Sequence, residues 1–293
     1  MPPRGRIAIV GAGSLGSSVA FALVMRKSVS EILLVDLSTE LLQGQVIDLN
    51  QASFGTSTCV RAGTLKEAGQ CDVIILTADS PRRNKEPRSE WIKRNLKLYQ
   101  SIATAMMPIH SRTIVIIAQI FGIGTITLTA ARVREWFTIM SGAGSESKVR
   151  SYVLGNADVP VIAWHDAKIN GRPAEDFPVL EEHRALAEQL VSWNRMQHLE
   201  ASKGGAWFGF AATLTRLTES LVKNKPSIHV LSVYVERFQT CVSVPVTVAA
   251  GGIQGLVEVD LSKQEEIALE RAAAENAQET SAIISLVGPL QLS

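Results

Sequence analysis

Residues 6–36 read RIAIVGAGSLGSSVAFALVMRKSVSEILLVD, and the fold can be worked outward from them. A short apolar run at 7–10 stops at Gly11-Ala12-Gly13-Ser14-Leu15-Gly16. Apolar residues at helical spacing follow (Val19, Ala20, Leu23, Val24), and a second apolar run at 32–35 ends in Asp36. The order is strand, glycine turn, helix, strand, acid. Gly11 permits a tight turn, Gly13 lets the backbone approach a pyrophosphate, and Gly16 lets the helix pack close to the strand. The first helical turn, at Ser14 and Leu15, offers unpaired N–H groups and a partial positive charge to phosphates. Asp36 lies twenty residues after Gly16, where a carboxylate accepts hydrogen bonds from an adenosine ribose and repels a 2′-phosphate. The stretch points to a βαβ unit that binds a dinucleotide, NAD in preference to NADP. The competing reading is that the glycines only shape a strand-to-helix turn.

The 293 residues suffice for two domains with cores of their own, and 46% hydrophobic against 19% charged excludes a disordered chain. A net charge of +1 without a basic block argues against nucleic acid or a membrane surface as partner and leaves a small molecule. Cys59, Cys71 and Cys241 show no metal-ligand or redox spacing. The expectation is reduced core thiols in a cytoplasmic compartment and no metal. The N-terminal MPPRGR carries no apolar signal segment, and no run reaches the roughly eighteen apolar residues of a membrane span.

Beyond Asp36, residues 39–50 have helical spacing, Val60 and Arg61 start a short strand, and 71–77 (CDVIILT) is a continuous apolar run suited to a strand buried on both faces. A polar, basic loop at 78–87 leads into a helix at 88–107, and 113–118 (TIVIIA) reads as another buried strand. The second half predicts strands at 151–154, 159–164, 242–248 and 256–261 and helices at 181–202, 207–223 and 262–286. The last of these is opened by Ser262 with Glu265 three residues on. The fold class is α/β: a Rossmann-type doubly wound parallel sheet over residues 1–127, followed by a mixed α+β substrate domain over 128–293.

The GAGSLG turn with Asp36, the helix TELLQGQVIDLN, the strand CDVIILTA, the loop ending in Arg88 before Lys93-Arg94-Asn95, and later SYVLG, KGGAWFGFA and VSVPVTVAAGGI follow one another in a familiar order. In this order the chain resembles the L-lactate/malate dehydrogenase family over nearly its whole length. The resemblance implies NAD as cofactor, held by Gly11, Gly13, Ser14, Leu15, Gly16 and Asp36, with Thr77 and Ala78 beside them. It also implies a homo-oligomer, dimer or tetramer. In that family the loop after the third buried strand closes over substrate and its terminal arginine polarises the carbonyl; Arg88 is similar to that residue. Six positions before it the family selects its substrate, and Arg82 there is similar to the arginine of malate dehydrogenases, a planar fork suited to a second carboxylate. The competing reading is that Arg82, Arg83, Lys85 and Arg88 only solvate a mobile loop. Arg132 aligns with the arginine that clamps the substrate carboxylate, and Ala206 stands where relatives carry a small hydroxyl residue in the pocket.

Three departures matter. Thr129 stands where the family has the aspartate that orients a catalytic histidine, and Asn156 is nearest the histidine itself. An amide donates a hydrogen bond but does not exchange a proton near neutrality, so the proton relay of hydride transfer is missing. His165, nine residues on, reads as an exposed residue more readily than as a replacement. Finally, TIVIIAQIFGIGT runs through 113–125 where relatives have an Asn-Pro-Val-Asp turn, a crossover helix and a strand. Either one strand is lost or the sheet is rewired; Gln119 is the only amide left near the place of the nicotinamide-contacting turn. The expected function is binding of a nicotinamide dinucleotide and a carboxylate-bearing small molecule. The open alternatives are a working NAD-dependent 2-hydroxy acid dehydrogenase with malate-like preference, a repurposed enzyme that performs a non-redox reaction in secondary metabolism, and a non-catalytic relative.

Overall fold

The structure, a computed structural model, describes residues 5–81, 83, 85–118, 125–144, 147–191 and 194–287. Arg82, Gln119 and Trp193, together with the side chains of Arg88 and Met196, lie outside the described residues. The first half contains β1 (Arg6–Val10), α1 (Ser14–Met25), β2 (Glu31–Val35), α2 (Thr39–Ala52), β3 (Cys59–Ala62), α3 (Leu65–Ala68), β4 (Val73–Leu76), α4 (Arg88–Met106) and β5 (Ile114–Ile117). The second half contains α5 (Thr125–Met140), β6 (Val149–Arg150), β7 (Val153–Gly155), β8 (Pro160–Ile162), β9 (Lys168–Ile169) and β10 (Arg172–Pro173). It continues with α6 (Pro178–Glu182), α7 (Arg184–Val191), α8 (Asn194–Lys203), α9 (Trp207–Val222), β11 (Ser227–Val235), β12 (Thr240–Ala249), β13 (Gly252–Leu256) and α10 (Lys263–Val287).

The first sheet is parallel throughout in the order β3-β2-β1-β4-β5. Its strands are apolar at consecutive positions because both faces are covered. Ile7 and Ile9 pack with α1 and α9, while Ala8 and Val10 pack with Ile102 and Met106 of α4. The switch from β1 leftward to β2 and rightward to β4 opens a crevice at the carboxyl ends of β1 and β4, where doubly wound folds take their ligands. The second half builds an antiparallel sheet, β11-β12-β7-β8 with β13 beside β12, around a separate core that includes Val133, Phe137, Leu154 and Ile169. Trp136 packs edge to face against both Phe137 and Trp164 in that core, and the latter two are tilted at 52° to each other. The two halves are tied where α9 lies on α1: Glu219 accepts from Arg26 Nη2 at 2.7 Å and from Ser28 Oγ at 2.6 Å.

Four expectations are corrected. The strand at 113–118 is not buried on both faces: Val115 and Ile117 are 41% and 43% exposed while Ile116 is 3% exposed. β5 is the edge of the sheet, and α4 reaches across β1 and β4 without covering it. Only residues 118–124 separate β5 from α5, fewer than the dozen or so a parallel crossover needs, so one strand is lost and the order of the others is kept. The helix at 181–202 is three helices, the first break falling at His183, whose backbone leaves the helical region and whose ring Nδ1 is 3.0 Å from the Val179 carbonyl oxygen. Within α7, Leu186 is exposed and Ala187 is buried. The strand expected at 256–261 lies earlier, at β13, because a two-residue turn at Ala250-Gly251 pairs Ala249 with Gly252 and so sets the hairpin register. Of the cysteines only Cys71 is in the core; Cys59 and Cys241 are exposed.

Candidate active site

The glycine turn has a separate physical reason at each glycine. Gly11 has φ +109° and donates its N–H to the Val35 carbonyl at 2.8 Å, and a Cβ there would lie 2.5 Å from the Ala78 nitrogen. A Cβ at Gly16 would lie 1.8 Å from the Gly11 oxygen and 2.8 Å from Thr77 Oγ1, so helix α1 touches the turn at van der Waals contact. A Cβ at Gly13 would meet nothing within 4 Å. Gly13 is the N-cap of α1 and has no side chain to satisfy the amides of Leu15 and Gly16. The turn is therefore tight at Gly11 and Gly16 and open at Gly13, on the side of the free helix amides.

The end of β2 supplies the acid. Asp36 Oδ2 accepts from the Ala12 N–H at 2.7 Å and Oδ1 from the Ser38 N–H at 2.9 Å, which fixes the carboxylate beside the glycine turn with lone pairs to spare on both oxygens. The end of β4 closes the crevice from the other side: Thr77 Oγ1 lies 2.8 Å from the Gly11 oxygen and 3.1 Å from the Val10 oxygen. Gly11, Gly13, Ser14, Leu15, Gly16, Asp36, Thr77 and Ala78 thus come together at one end of the sheet. The donors and the acid match the adenosine-diphosphate end of a dinucleotide.

The loop after β4 is pinned to α4. Ser80 donates its N–H to Asn95 Oδ1 at 2.8 Å, and its carbonyl accepts from Trp91 Nε1 at 2.9 Å and Asn95 Nδ2 at 3.1 Å. Arg94 pairs with Glu86 at 2.7 Å and donates to the Pro81 oxygen and to Ser80 Oγ. Trp91, Arg94 and Asn95 are anchors whose role is invisible in their spacing alone, although Lys93-Arg94-Asn95 was part of the recognisable order.

On α5, Arg132 and Thr129 are three residues apart and share a side of the helix; Thr129 is buried and Arg132 half-buried. Ala206, at the N-cap of α9, is buried against Leu128 of α5. Asn156 is held by its surroundings: Nδ2 donates to the Ala272 carbonyl at 3.0 Å, and Oδ1 accepts from the N–H groups of Asp158 at 2.9 Å and Val159 at 2.7 Å. Its amide closes the β7–β8 turn onto α10, and both acceptor positions are occupied. His165 is exposed, with Nε2 3.6 Å from Asp260 Oδ2.

Arg134, two residues beyond Arg132, turns to the other side of α5. It lines a cavity of about 420 Å³ with Arg216, Ser220 and His229. Burial, followed by the Arg134 and Arg216 guanidiniums, pushes His229 down to about 4, so its imidazole is neutral at pH 7. Among the described residues no group of three His, Cys, Asp or Glu side chains can hold a metal ion. No helix among them is long and apolar enough to cross a membrane.

Fold and crevice define a doubly wound α/β protein of the nucleotide-binding class with a second domain built on an antiparallel sheet. Comparison with known proteins narrows this. Residues 5–119 match the model of the lactate/malate dehydrogenase NAD binding domain, and residues 126–285 match that of the lactate/malate dehydrogenase alpha/beta C-terminal domain. The chain is 32% identical over 289 residues to L-lactate dehydrogenase A of Rhizopus oryzae, covering 91% of this chain and 89% of that protein. It is 29% identical over 305 residues to the L-lactate dehydrogenase of Chloroherpeton thalassium, covering 95% and 99%. Among solved structures it is similar to a lactate dehydrogenase from a Medee basin deep-sea metagenome library, with TM-score 0.88 at 21% identity over 96% of this chain and 99% of that one. It is also similar to the malate dehydrogenase of Salinibacter ruber, with TM-score 0.81 at 19% identity over 96% and 98%. The chain belongs to the lactate/malate dehydrogenase family, and its first half is an NAD-binding domain.

Proposed function

We propose that this protein binds NAD and a small carboxylate in the crevice between its two halves and does not reduce 2-oxo acids at the rate of a histidine-assisted dehydrogenase. The observation that carries this reading is the commitment of Asn156 to a structural turn. Reduction of a 2-oxo acid needs a proton at the developing alkoxide, and neither the Asn156 amide nor the Thr129 hydroxyl exchanges one near neutrality. When bound, NAD supplies hydride chemistry. The groups this chain brings to it are the α1 amides and Asp36 for the adenosine diphosphate, with Arg132, Arg88 and Arg82 as carboxylate-binding candidates and Ala206 making the pocket floor apolar. The absence of a relay predicts turnover lower by about 10²- to 10⁴-fold, the usual contribution of general acid-base catalysis. Oligomerisation as a dimer or tetramer and a cytoplasmic setting belong to the same proposal, supported by exposed Phe21, Ile47, Phe54 and Phe208 on α1, α2 and their surroundings and by the free cysteines.

A second reading, an ordinary L-lactate dehydrogenase, is favoured by the 32% identity to the Rhizopus oryzae protein. Stopped-flow oxidation of NADH with pyruvate and oxaloacetate separates the two. Turnover below about 1 per second with saturable NADH binding supports the first reading, and tens per second supports the second. Arg132→Ala should weaken binding of oxamate or another small carboxylate about tenfold or more while leaving NADH affinity unchanged.

A further inference from the structure

We infer that Trp91, Arg94 and Asn95 of α4 are positioning residues for the nucleotide: together they hold every polar atom of Ser80 and so fix the β4 wall of the crevice against the glycine turn. The inference rests on the reading above that NAD lies in the crevice at the carboxyl ends of β1 and β4, and deepens it.

The chain leaves the sheet just past β4. Thr77 and Ala78 both donate their N–H groups to the Val10 carbonyl, at 2.9 and 2.8 Å, and Val10 is the last residue of β1. From there the backbone has to be carried by partners outside the strand ladder. Its placement is narrowly set on the near side. A Cβ on Gly11 would lie 2.5 Å from the Ala78 nitrogen, and Thr77 Oγ1 is 2.8 Å from the Gly11 oxygen, so the wall and the turn are in contact. Inward drift of residues 77–80 is blocked by backbone, whereas outward drift would widen the crevice beside the α1 amides.

The far side is set by α4. Residues 91, 94 and 95 have the i, i+3, i+4 spacing of one helix face. Ser80 donates its N–H to Asn95 Oδ1 at 2.8 Å, and its carbonyl accepts from Trp91 Nε1 at 2.9 Å and Asn95 Nδ2 at 3.1 Å. Its hydroxyl oxygen accepts from Arg94 Nη1. Asn95 is 1% exposed, and Nδ2 makes a second donation to the Trp91 carbonyl at 3.0 Å. Both amide hydrogens are thereby used, so Asn95 acts through Ser80 and not on the ligand. The Arg94 charge is balanced by Glu86 at 2.7 Å, and Nη2 also donates to the Pro81 oxygen at 3.0 Å. A wall already held where the ligand needs it loses less freedom on binding, and affinity rises accordingly.

Calorimetric titration of the full chain with NADH and ADP-ribose, paired with urea unfolding, tests this on Trp91→Phe, Asn95→Asp and Asn95→Leu. Trp91→Phe removes one bond to Ser80 and keeps an aromatic ring. Asn95→Asp keeps the acceptor and removes both donations, and Asn95→Leu removes all three bonds at similar volume. Ile102→Val, on the same helix and buried against Val10, is the control for stability alone. The expected result is that affinity falls with the number of bonds lost, about threefold for Trp91→Phe and about tenfold or more for Asn95→Leu, with NADH and ADP-ribose weakened by the same factor. Ile102→Val should lower the urea midpoint with affinity unchanged. Variants at 91 and 95 that lose stability but bind as tightly as the parent would overturn the inference, as would an equal loss of affinity in Ile102→Val. If Asn95→Leu does not fold, Trp91→Phe and Asn95→Asp decide by the same comparison. If the parent chain binds neither adenine ligand, the NAD-binding reading itself fails and the inference falls with it.

Discussion

Gly13→Ala and Gly16→Ala each add one methyl group to the same turn, and the structure assigns them opposite outcomes. At position 13 the new Cβ meets no atom within 4 Å, so the cost in the folded protein is that of an alanine N-cap, about 0.5–1 kcal/mol. That methyl group occupies the approach of the pyrophosphate to the α1 amides. Losing one charge-assisted N–H···O bond costs about 1.5–3 kcal/mol of binding, a weakening of NADH or ADP-ribose by roughly 10- to 150-fold. At position 16 the Cβ would sit 1.8 Å from the Gly11 oxygen. Helix α1 would have to move off β1, at a cost of about 3 kcal/mol or more, the upper range for overpacked sites. Urea unfolding followed by far-UV circular dichroism, paired with calorimetric titration of ADP-ribose, reads both quantities. Gly13→Ala should shift the midpoint slightly and lose affinity; Gly16→Ala should lose most of its stability. A Gly13→Ala variant that binds ADP-ribose as well as the parent would refute the assignment of this turn to phosphate binding.

Glu219 is pulled upward by burial, but donation from Arg26, Lys223 and Ser28 outweighs this and holds it down to about 2. Its folded value lies below its unfolded one, so its stabilisation is present above about pH 4.5 and is lost as pH falls through about 2. Arg26 and Lys223 are half exposed, so Glu219→Gln should cost about 2 kcal/mol at pH 7 after solvent screening, with the deficit shrinking between pH 4.5 and 2 in urea titrations. Asn156→Ala removes two hydrogen bonds of the β7–β8 turn and one to α10 and should lower unfolding free energy by about 2 kcal/mol with NADH affinity unchanged; loss of affinity without loss of stability would make Asn156 a ligand-contacting residue. Ile117→Lys, on the uncovered face of β5, should change stability by no more than about 0.5 kcal/mol, whereas Ile116→Lys one residue away should cost over 3 kcal/mol or prevent folding. Burial pushes the Cys71 thiol up to about 11, so Ellman's reagent at pH 8 should modify Cys59 and Cys241 in the native protein and reach the third thiol only on unfolding.

The first βαβ unit was legible from residues 6–36 because every requirement there is local. The glycines answer to sterics within the turn, the apolar runs to burial of a parallel strand on both faces, and Asp36 to its distance along the chain. The shortened segment after residue 117 was equally plain, since the length of a connection is a property of sequence. Which outcome that shortening produced, a lost strand at an unchanged order, was decided by tertiary structure, because β5 keeps its pairing with β4 while the helix and strand that would cover it have no residues to be made from. The same holds for Asn156. Its position in the chain suggested the place of a catalytic group, yet its amide is consumed by Ala272, more than a hundred residues away, and by a turn whose geometry only the packed β7–β8 pair defines. The break at His183, the register of β13 and the meeting of Arg134, Arg216 and His229 in one cavity likewise depend on contacts between distant segments. Local pattern determines which elements form; which of their polar groups remain free for a ligand is settled only when the elements pack and compete for the same hydrogen bonds.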